Sequence, residues 1–479
     1  MKKMLTLALA VISFTNSGSA FADAPVGLNS ALSLSVETTV ATSSSNIRDP
    51  QVFPLAKGNS LVSWVEEKNS TFYLRAKAVS ASNKVGKIIS INSSPAFSPS
   101  IEHALPRISV NAKGQFFAVW IVQATKNRVT TQQIIGRTSV DGTNWSKEFT
   151  IVKPIKITGG LDCAEEPERF TGCGFTSLNA ALDNSGRYAV LFTSKPTKNN
   201  SAGATFYSVA ATDMTAVWPT PKNIGYAYQL RDHEITGLVS GFAVNYTIYG
   251  SGISMAYLDP KTNKWTSLNA LSSAYNTNYH SHWVQRDASK LSLVMSAEIG
   301  VGAEYQANGV VVRNFNLKTK KWAGPGVTAQ QNLIHDPPGA PTVAVVFQNV
   351  TATKAGNTLL IAYTIYDSTD QSFEVKVISQ NGISGSFTQA SIASSGAQID
   401  PLYVGVNQEK DPLFAYTSGG TFLGVLREGE LPAPIINSAS NQNLLDLTIT
   451  SSNKVYGVGV NYGAKNKLIL VVGQLRMLR

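Results

Sequence analysis

His280 and His282 stand one residue apart in Tyr279-His280-Ser281-His282-Trp283. On an extended strand that spacing places both imidazoles on one face, where they suit a transition metal as nitrogen ligands, with His335-Asp336 as a source of further ligands if the chain returns nearby. Two histidines without a fixed third ligand also fit a strand end hydrogen-bonded to backbone. The same stretch carries Tyr275, Tyr279 and Trp283 among asparagines. Aromatic faces and amides line carbohydrate sites by stacking and hydrogen bonding, so Tyr275, Tyr279, His280, His282 and Trp283 are the candidate ligand contacts. The two cysteines, Cys163 and Cys173, have the spacing of a local disulfide that closes an inserted loop at 160–175. Such a link contributes on the order of 3 kcal/mol in the chain-entropy model. Asp162, Glu165, Glu166 and Glu168 make that loop acidic. Calcium would suit it, but a solvated, stapled surface loop accounts for the charges more simply. No cofactor is expected, and no motif names a catalytic residue.

The elements that must position these residues are strands. Eight times an apolar strand runs into a short polar turn and a second apolar strand follows. The turns lie at 56–59, 111–114, 183–186, 239–241, 287–290, 354–357, 408–411 and 451–454. Second strands such as Phe116-Phe117-Ala118-Val119-Trp120-Ile121 are apolar at consecutive positions, as expected where a strand is buried on both faces. An all-strand repeat of roughly 57 residues with loop insertions reads as a single all-β domain, a β-propeller of about eight blades, with seven as the alternative. The strand-like segment from Leu32 to Val40 is placed to pair with the last blade, so that the N- and C-terminal segments close the ring.

Lys2 and Lys3, the apolar run Met4 to Phe14 and the small-residue site Ala20-Phe21-Ala22 compose a signal peptide at 1–22. The propeller then occupies 23–479, and the protein is exported, periplasmic or extracellular, with no transmembrane segment after cleavage. The net charge of +10 is carried by lysines spread singly through turns, with no basic arm interleaved with aromatics. That pattern argues against nucleic acid as a partner.

Four tryptophans, Trp145, Trp218, Trp265 and Trp322, follow turns that contain an Asp or Asn. Asp and Asn accept hydrogen bonds from turn amides, so these tryptophans are expected to pack beneath the turns as structural residues. Ser139-Val140-Asp141-Gly142-Thr143-Asn144-Trp145 resembles a shortened Asp-box of the sialidase-like propellers, and Asp259 to Trp265 is similar to the turn of kelch-type blades. The sialidase resemblance implies three arginines that clamp a carboxylate together with an acid/base Asp. This chain offers Arg107-Ile108-Ser109 where that family has Arg-Ile-Pro, with Arg231, Arg286 and Arg313 for the clamp and Asp232 or Glu234 as acid. Asp-box turns fix architecture and not activity. The sequence therefore reads as a binding module for a saccharide or protein partner. The alternatives are a glycan-active hydrolase or lyase whose acid and base come from different blades, and a structural envelope scaffold.

Overall fold

The computed structural model describes residues 32–475, apart from 35–36, 100–102, 158–173, 196–203, 212–217, 228–232, 249–251, 270–274, 301–304, 325–326, 336–344, 368–370, 384, 396–401, 407–411, 418–420, 426–432, 437–442 and 450–453. The segment at 1–22 read as a signal peptide, Cys163, Cys173 and the acidic loop lie outside the described residues. No helix among those residues is long and apolar enough to cross a membrane.

The chain is an all-β propeller of antiparallel sheets in which successive strands are neighbours. One compact unit, Thr42–Asn278 with Ala464–Asn466, holds four sheets. Each is named here by the residue that opens its first strand. The Asn46 sheet runs Asn46–Pro54, Ser60–Lys68, Thr71–Val79, Val85–Ser90, and the Arg107 sheet runs Arg107–Val110, Phe116–Lys126, Val129–Ser139, Phe149–Ile157. The Gly174 sheet runs Gly174–Leu182, Tyr188–Lys195, Ala204–Ala211, Lys222–Ala227, and the His233 sheet runs His233–Gly237, Phe242–Ile248, Gly252–Asp259, Lys264–Asn269.

The sheets opened by Val345–Ala355 and Leu402–Val406 repeat the four-strand pattern, which gives six four-stranded blades in place of the eight or seven equal units expected. The two remaining hairpin repeats sit in five-stranded sheets, each for a local reason. In the sheet of Tyr275–Asp287, Lys290–Gly300 and Tyr305–Asn316, the third strand is bordered by two pieces, Lys321–Trp322 and Val327–His335. The sequence between the pieces is Ala-Gly-Pro-Gly, and proline has no N–H to donate to a ladder. In the sheet of Asn443–Ile449, Lys454–Asn461 and Asn466–Leu475, the N-terminal strands Leu32–Leu34 and Thr38–Ser43 both pair with Asn466–Leu475. Leu32 lies opposite Leu475 and Leu34 opposite Gly473. This pairing covers an edge that would otherwise stand open.

The second strands are buried on both faces, as their sequences demand. Phe116 to Ile121 are each 0% exposed, and Ser60–Val65 and Val455–Val460 are also continuously buried. One apolar layer fills the space between the Asn46 and Arg107 sheets, with Leu61, Leu74, Phe116 and Trp120. A second joins Phe117, Val119 and Ile134 to Phe175, Leu178 and Val190 of the Gly174 sheet. A third joins Ala189 and Leu191 to Ile235, Phe242 and Val244. Trp218, from the Gly174 sheet, reaches into the Arg107 sheet and stacks on Phe117 at 5.9 Å and Phe149 at 6.3 Å.

The turns bind sheet to sheet. Asp183 is fully buried and accepts from the amide of Ser185 at 3.0 Å, the amide of Arg187 at 2.9 Å and Arg187 Nε at 2.8 Å. It also accepts from the amide of Gly241 in the His233 sheet at 2.8 Å. Its own carbonyl accepts from Asn111 Nδ2 in the Arg107 sheet at 3.0 Å. One residue thus joins three sheets. Burial by itself raises the Asp183 pKa, but the Gly241 amide, the Ser185 hydroxyl and the Arg187 amide and guanidinium outweigh it and hold the carboxyl below its ordinary 3.8. Arg286 makes an analogous link elsewhere, donating to Gln380 Oε1 at 3.3 Å and to the carbonyl of Gly382 at 3.0 Å.

First strands approach one another closely. A Cβ on Gly237 would lie 1.8 Å from the carbonyl oxygen of Leu182. Gly237→Ala must therefore push the Gly174 and His233 sheets apart, and the variant is expected in the insoluble fraction on expression. Asp183→Ala leaves Arg187 buried without its partner, a loss of about 3–5 kcal/mol in denaturant unfolding. Because the folded pKa is depressed, the Asp183 contribution is complete above the unfolded value near 3.8 and is lost as pH falls through the lower folded value. Wild-type stability should therefore fall more steeply with acid than that of Asp183→Asn, measured by urea unfolding at pH values on both sides of 3.8.

Candidate functional site

Polar and titratable side chains stand on or beside the four first strands of the Thr42–Asn278 unit. The Asn46 sheet contributes Asp49, which sits at φ +45° in a register shift between Arg48 and Gln51 and precedes Pro50. A left-handed backbone at a non-glycine residue is sterically costly, and a following proline disfavours helical angles further. Asp49 Oδ2 accepts from Arg107 Nη1, which opens the next sheet, at 3.0 Å. Both side chains are about a quarter exposed, at 26% each.

His103 precedes Arg107 by one turn of chain, and its carbonyl accepts the amide of Leu178 on the Gly174 strand at 2.8 Å. On the other side of that strand, Asn179 Nδ2 donates to the carbonyl of His233 at 3.3 Å. The two histidines, 130 positions apart in sequence terms by roughly two blade repeats, meet across the Gly174 strand with ring centroids 5.7 Å apart and planes inclined by 57°. His233 is buried and His103 half-buried. Glu234, the next residue on the His233 strand, accepts from Thr236 Oγ1 at 2.9 Å. These strands therefore carry two separate features, a carboxylate paired with a guanidinium and two adjoining imidazoles. Imidazole is the side chain best suited to take and give protons near neutral pH.

Of the residues singled out from sequence, Arg107 and Glu234 stand on these first strands and the others fall elsewhere. Tyr275, Tyr279 and His280 lie on the strand Tyr275–Asp287, and their side chains are outside the described residues. His282 is half-buried on that strand, and no group of three or more metal-binding side chains occurs among the described residues. Trp283 is buried and stacks on Trp322 at 6.2 Å and 15°. Trp322 also carries the Arg313 guanidinium over its ring at 4.3 Å. Arg286 is held in the turn network described above. The arginines offered for a carboxylate clamp are thus committed to separate local contacts, and Arg231 and Asp232 lie outside the described residues.

The tryptophan turns have definite geometry. Asp141 Oδ1 accepts the amides of Thr143 and Asn144, both at 2.8 Å, and Trp145 Nε1 donates to the carbonyl of Gly142 at 2.9 Å. Partial burial opposes ionisation, yet bonds from Asn144, Thr143 and Ser139 hold Asp141 well below the usual carboxylate range. Asn316 accepts the amides of Lys318 and Thr319 in the same manner, at 2.9 and 3.1 Å. Asp259 accepts the amide of Lys261 at 3.1 Å, and Trp265 packs against the layer containing Phe242 and Leu258.

No protein-family model matches the chain, and no curated protein matches it significantly. The Asp-box and kelch resemblances therefore rest on local turns alone. Among solved structures, the chain is similar to the polysaccharide lyase Uly1, with 10% identity over 90% of each chain and a TM-score of 0.43. It is similar to the α-L-arabinofuranosidase Arb93A from Fusarium graminearum, with 9% identity over 92% of this chain and 98% of that one, TM-score 0.41. It is also similar to an α-L-arabinanase of Penicillium chrysogenum, with 11% identity over 92% and 99%, TM-score 0.38.

His103 and His233 carry no sequence signal of their own. Their relation appears only when strands two blades apart are laid beside the strand between them. The Asp49–Arg107 pair is partly solvated, so Arg107→Gln should cost no more than about 1 kcal/mol in denaturant unfolding, leaving a folded protein in which its role at the site can be measured.

Proposed function

We propose that this propeller acts on a glycan as an enzyme, with the group around His103, Arg107 and His233 as its site. The single observation that carries this reading is the contact between two imidazoles from different blades. A surface that only binds sugar needs aromatic faces and amides, whereas two adjoining proton carriers suit general acid–base chemistry. This reading takes the enzymatic alternative over the binding role expected from sequence.

Further support comes from the chain itself. The signal-peptide pattern at 1–22 would deliver the protein to the periplasm or beyond, where polysaccharides are available. Without Lys2 and Lys3 the net charge of +10 becomes +8, which favours approach to an anionic polymer.

The test is incubation of the mature protein with a panel of neutral and anionic polysaccharides, followed by chromatography and mass analysis of fragments. Fragments from at least one polymer, reduced at least tenfold in rate by Arg107→Gln, are the expected result. Tight binding of a glycan that is recovered intact would return the protein to the class of binding modules.

A further inference from the structure

We infer that the protein is N-glycosylated at Asn69, with the carbohydrate reaching solvent from the tip of a hairpin in the Asn46 sheet. Asn69-Ser70-Thr71 is an acceptor triplet, an asparagine followed two residues later by a hydroxyl, and in an exported chain such a triplet accepts an oligosaccharide. The inference needs export, which the pattern at 1–22 supports. It is independent of the enzymatic reading above.

Six such triplets occur in the chain, beginning at Asn69, Asn92, Asn144, Asn199, Asn245 and Asn349. Burial and hydrogen bonding separate them. Asn92 is buried, its Oδ1 accepts the amide of Leu74 at 2.6 Å, and its Nδ2 donates to the carbonyls of Phe72 at 3.0 Å and Ser94 at 2.9 Å. Asn245 is fully buried within Phe242–Ile248. Asn144 is exposed, but its Nδ2 is engaged inside the tryptophan turn by Asp141 Oδ2 at 2.7 Å and Thr143 Oγ1 at 3.3 Å. Asn199 and the side chain of Asn349 lie outside the described residues. Asn69 is exposed, and among the described residues no hydrogen bond holds its side chain. Of the four asparagines whose side chains are described, it alone offers a free amide to a transferase.

The local fold accommodates the addition. Asn69 and Ser70 join Ser60–Lys68 to Thr71–Val79, with Lys68 opposite Thr71. Both turn residues are left-handed, at φ +51° and +57°, the conformation of a two-residue hairpin turn that asparagine tolerates. Lys68, Asn69 and Ser70 are all exposed, so a bulky group on Nδ2 meets solvent and leaves the apolar layers untouched. Thr71 supplies the hydroxyl of the triplet and, in the folded hairpin, donates to the carbonyl of Lys68 at 2.6 Å. In the transfer, Asn69 Nδ2 forms a bond to C1 of a sugar carried as a lipid-linked oligosaccharide diphosphate. The C1–O bond to phosphate breaks, its electron pair leaves with the lipid diphosphate, and one proton of Nδ2 passes to the transferase.

The experiment is mass analysis of the mature protein recovered from its own organism and digested into peptides that span each triplet. A carbohydrate mass on the Asn69 peptide, absent from the peptides of Asn92, Asn144 and Asn245, is the expected result. Release by a peptide N-glycosidase should leave aspartate at position 69. Thr71→Ser should keep the carbohydrate because the hydroxyl is retained, while Thr71→Ala and Asn69→Asp should lose it completely. Aspartate tolerates the left-handed turn, so loss in that variant is not a loss of the hairpin. Asn69 recovered unmodified in the wild type would overturn the inference. Carbohydrate that persists in Thr71→Ala, or that sits on Asn92 or Asn245 instead, would overturn it as well. A modified Asn69 in a protein that cleaves no polysaccharide would overturn the enzymatic reading alone.

Discussion

The buried carboxylate of Asp183 is the constraint on which one half of this protein depends. A charge taken out of water is tolerable only when its lone pairs are met, and here they are met by groups from its own turn and from the next sheet. Meeting that requirement fixes the position of the Gly174 strand relative to its neighbours. The Asn111 side chain secures the same turn from the preceding sheet. With those ends tied, the first strands can approach to the spacing that Gly237 alone permits. That spacing brings His103 and His233 into contact across the strand between them.

The arrangement separates stability from chemistry along each strand. The short turns that end the first strands are rich in Asn, Asp and Gly, and their hydrogen bonds are local or reach one sheet further. The starting portions of three of these strands carry Asp49, Arg107 and His233. Backbone strain is tolerated there, as at Asp49, because the opposite end of the sheet and the apolar layers between sheets hold the strand in place. A strand pinned at one end by a saturated polar network presents its other end with little freedom, which is what a site assembled from several blades requires.

The fold was legible in the sequence because its determinants are local. Polar turns between consecutive apolar residues announce hairpins, and Phe116 to Ile121 are buried as their composition implies. The N-terminal segment was also legible as a partner for the last sheet, since its alternation left it without a hairpin of its own. The blade count was not. An outer strand broken near Pro325 and an N-terminal strand added to the final sheet both alter the strand number without altering the hairpin rhythm on which the count was based.

Of the candidate site, Arg107 and Glu234 were legible as clamp and acid candidates, and the two histidines were not, for the opposite reason. His280 and His282 attract attention because they are adjacent, yet adjacency on a strand says nothing about what the next blade brings. Arg286 has the composition of a ligand clamp and the surroundings of a structural tie, because its donors end on Gln380 and Gly382. His103 and His233 look unremarkable in sequence, the first before a strand and the second within a charged run. Their proximity is a product of strand order. In a repeating sheet protein, chemistry that spans blades is encoded in which strand lies between two residues, so it can be recovered only after the pairing of strands is known.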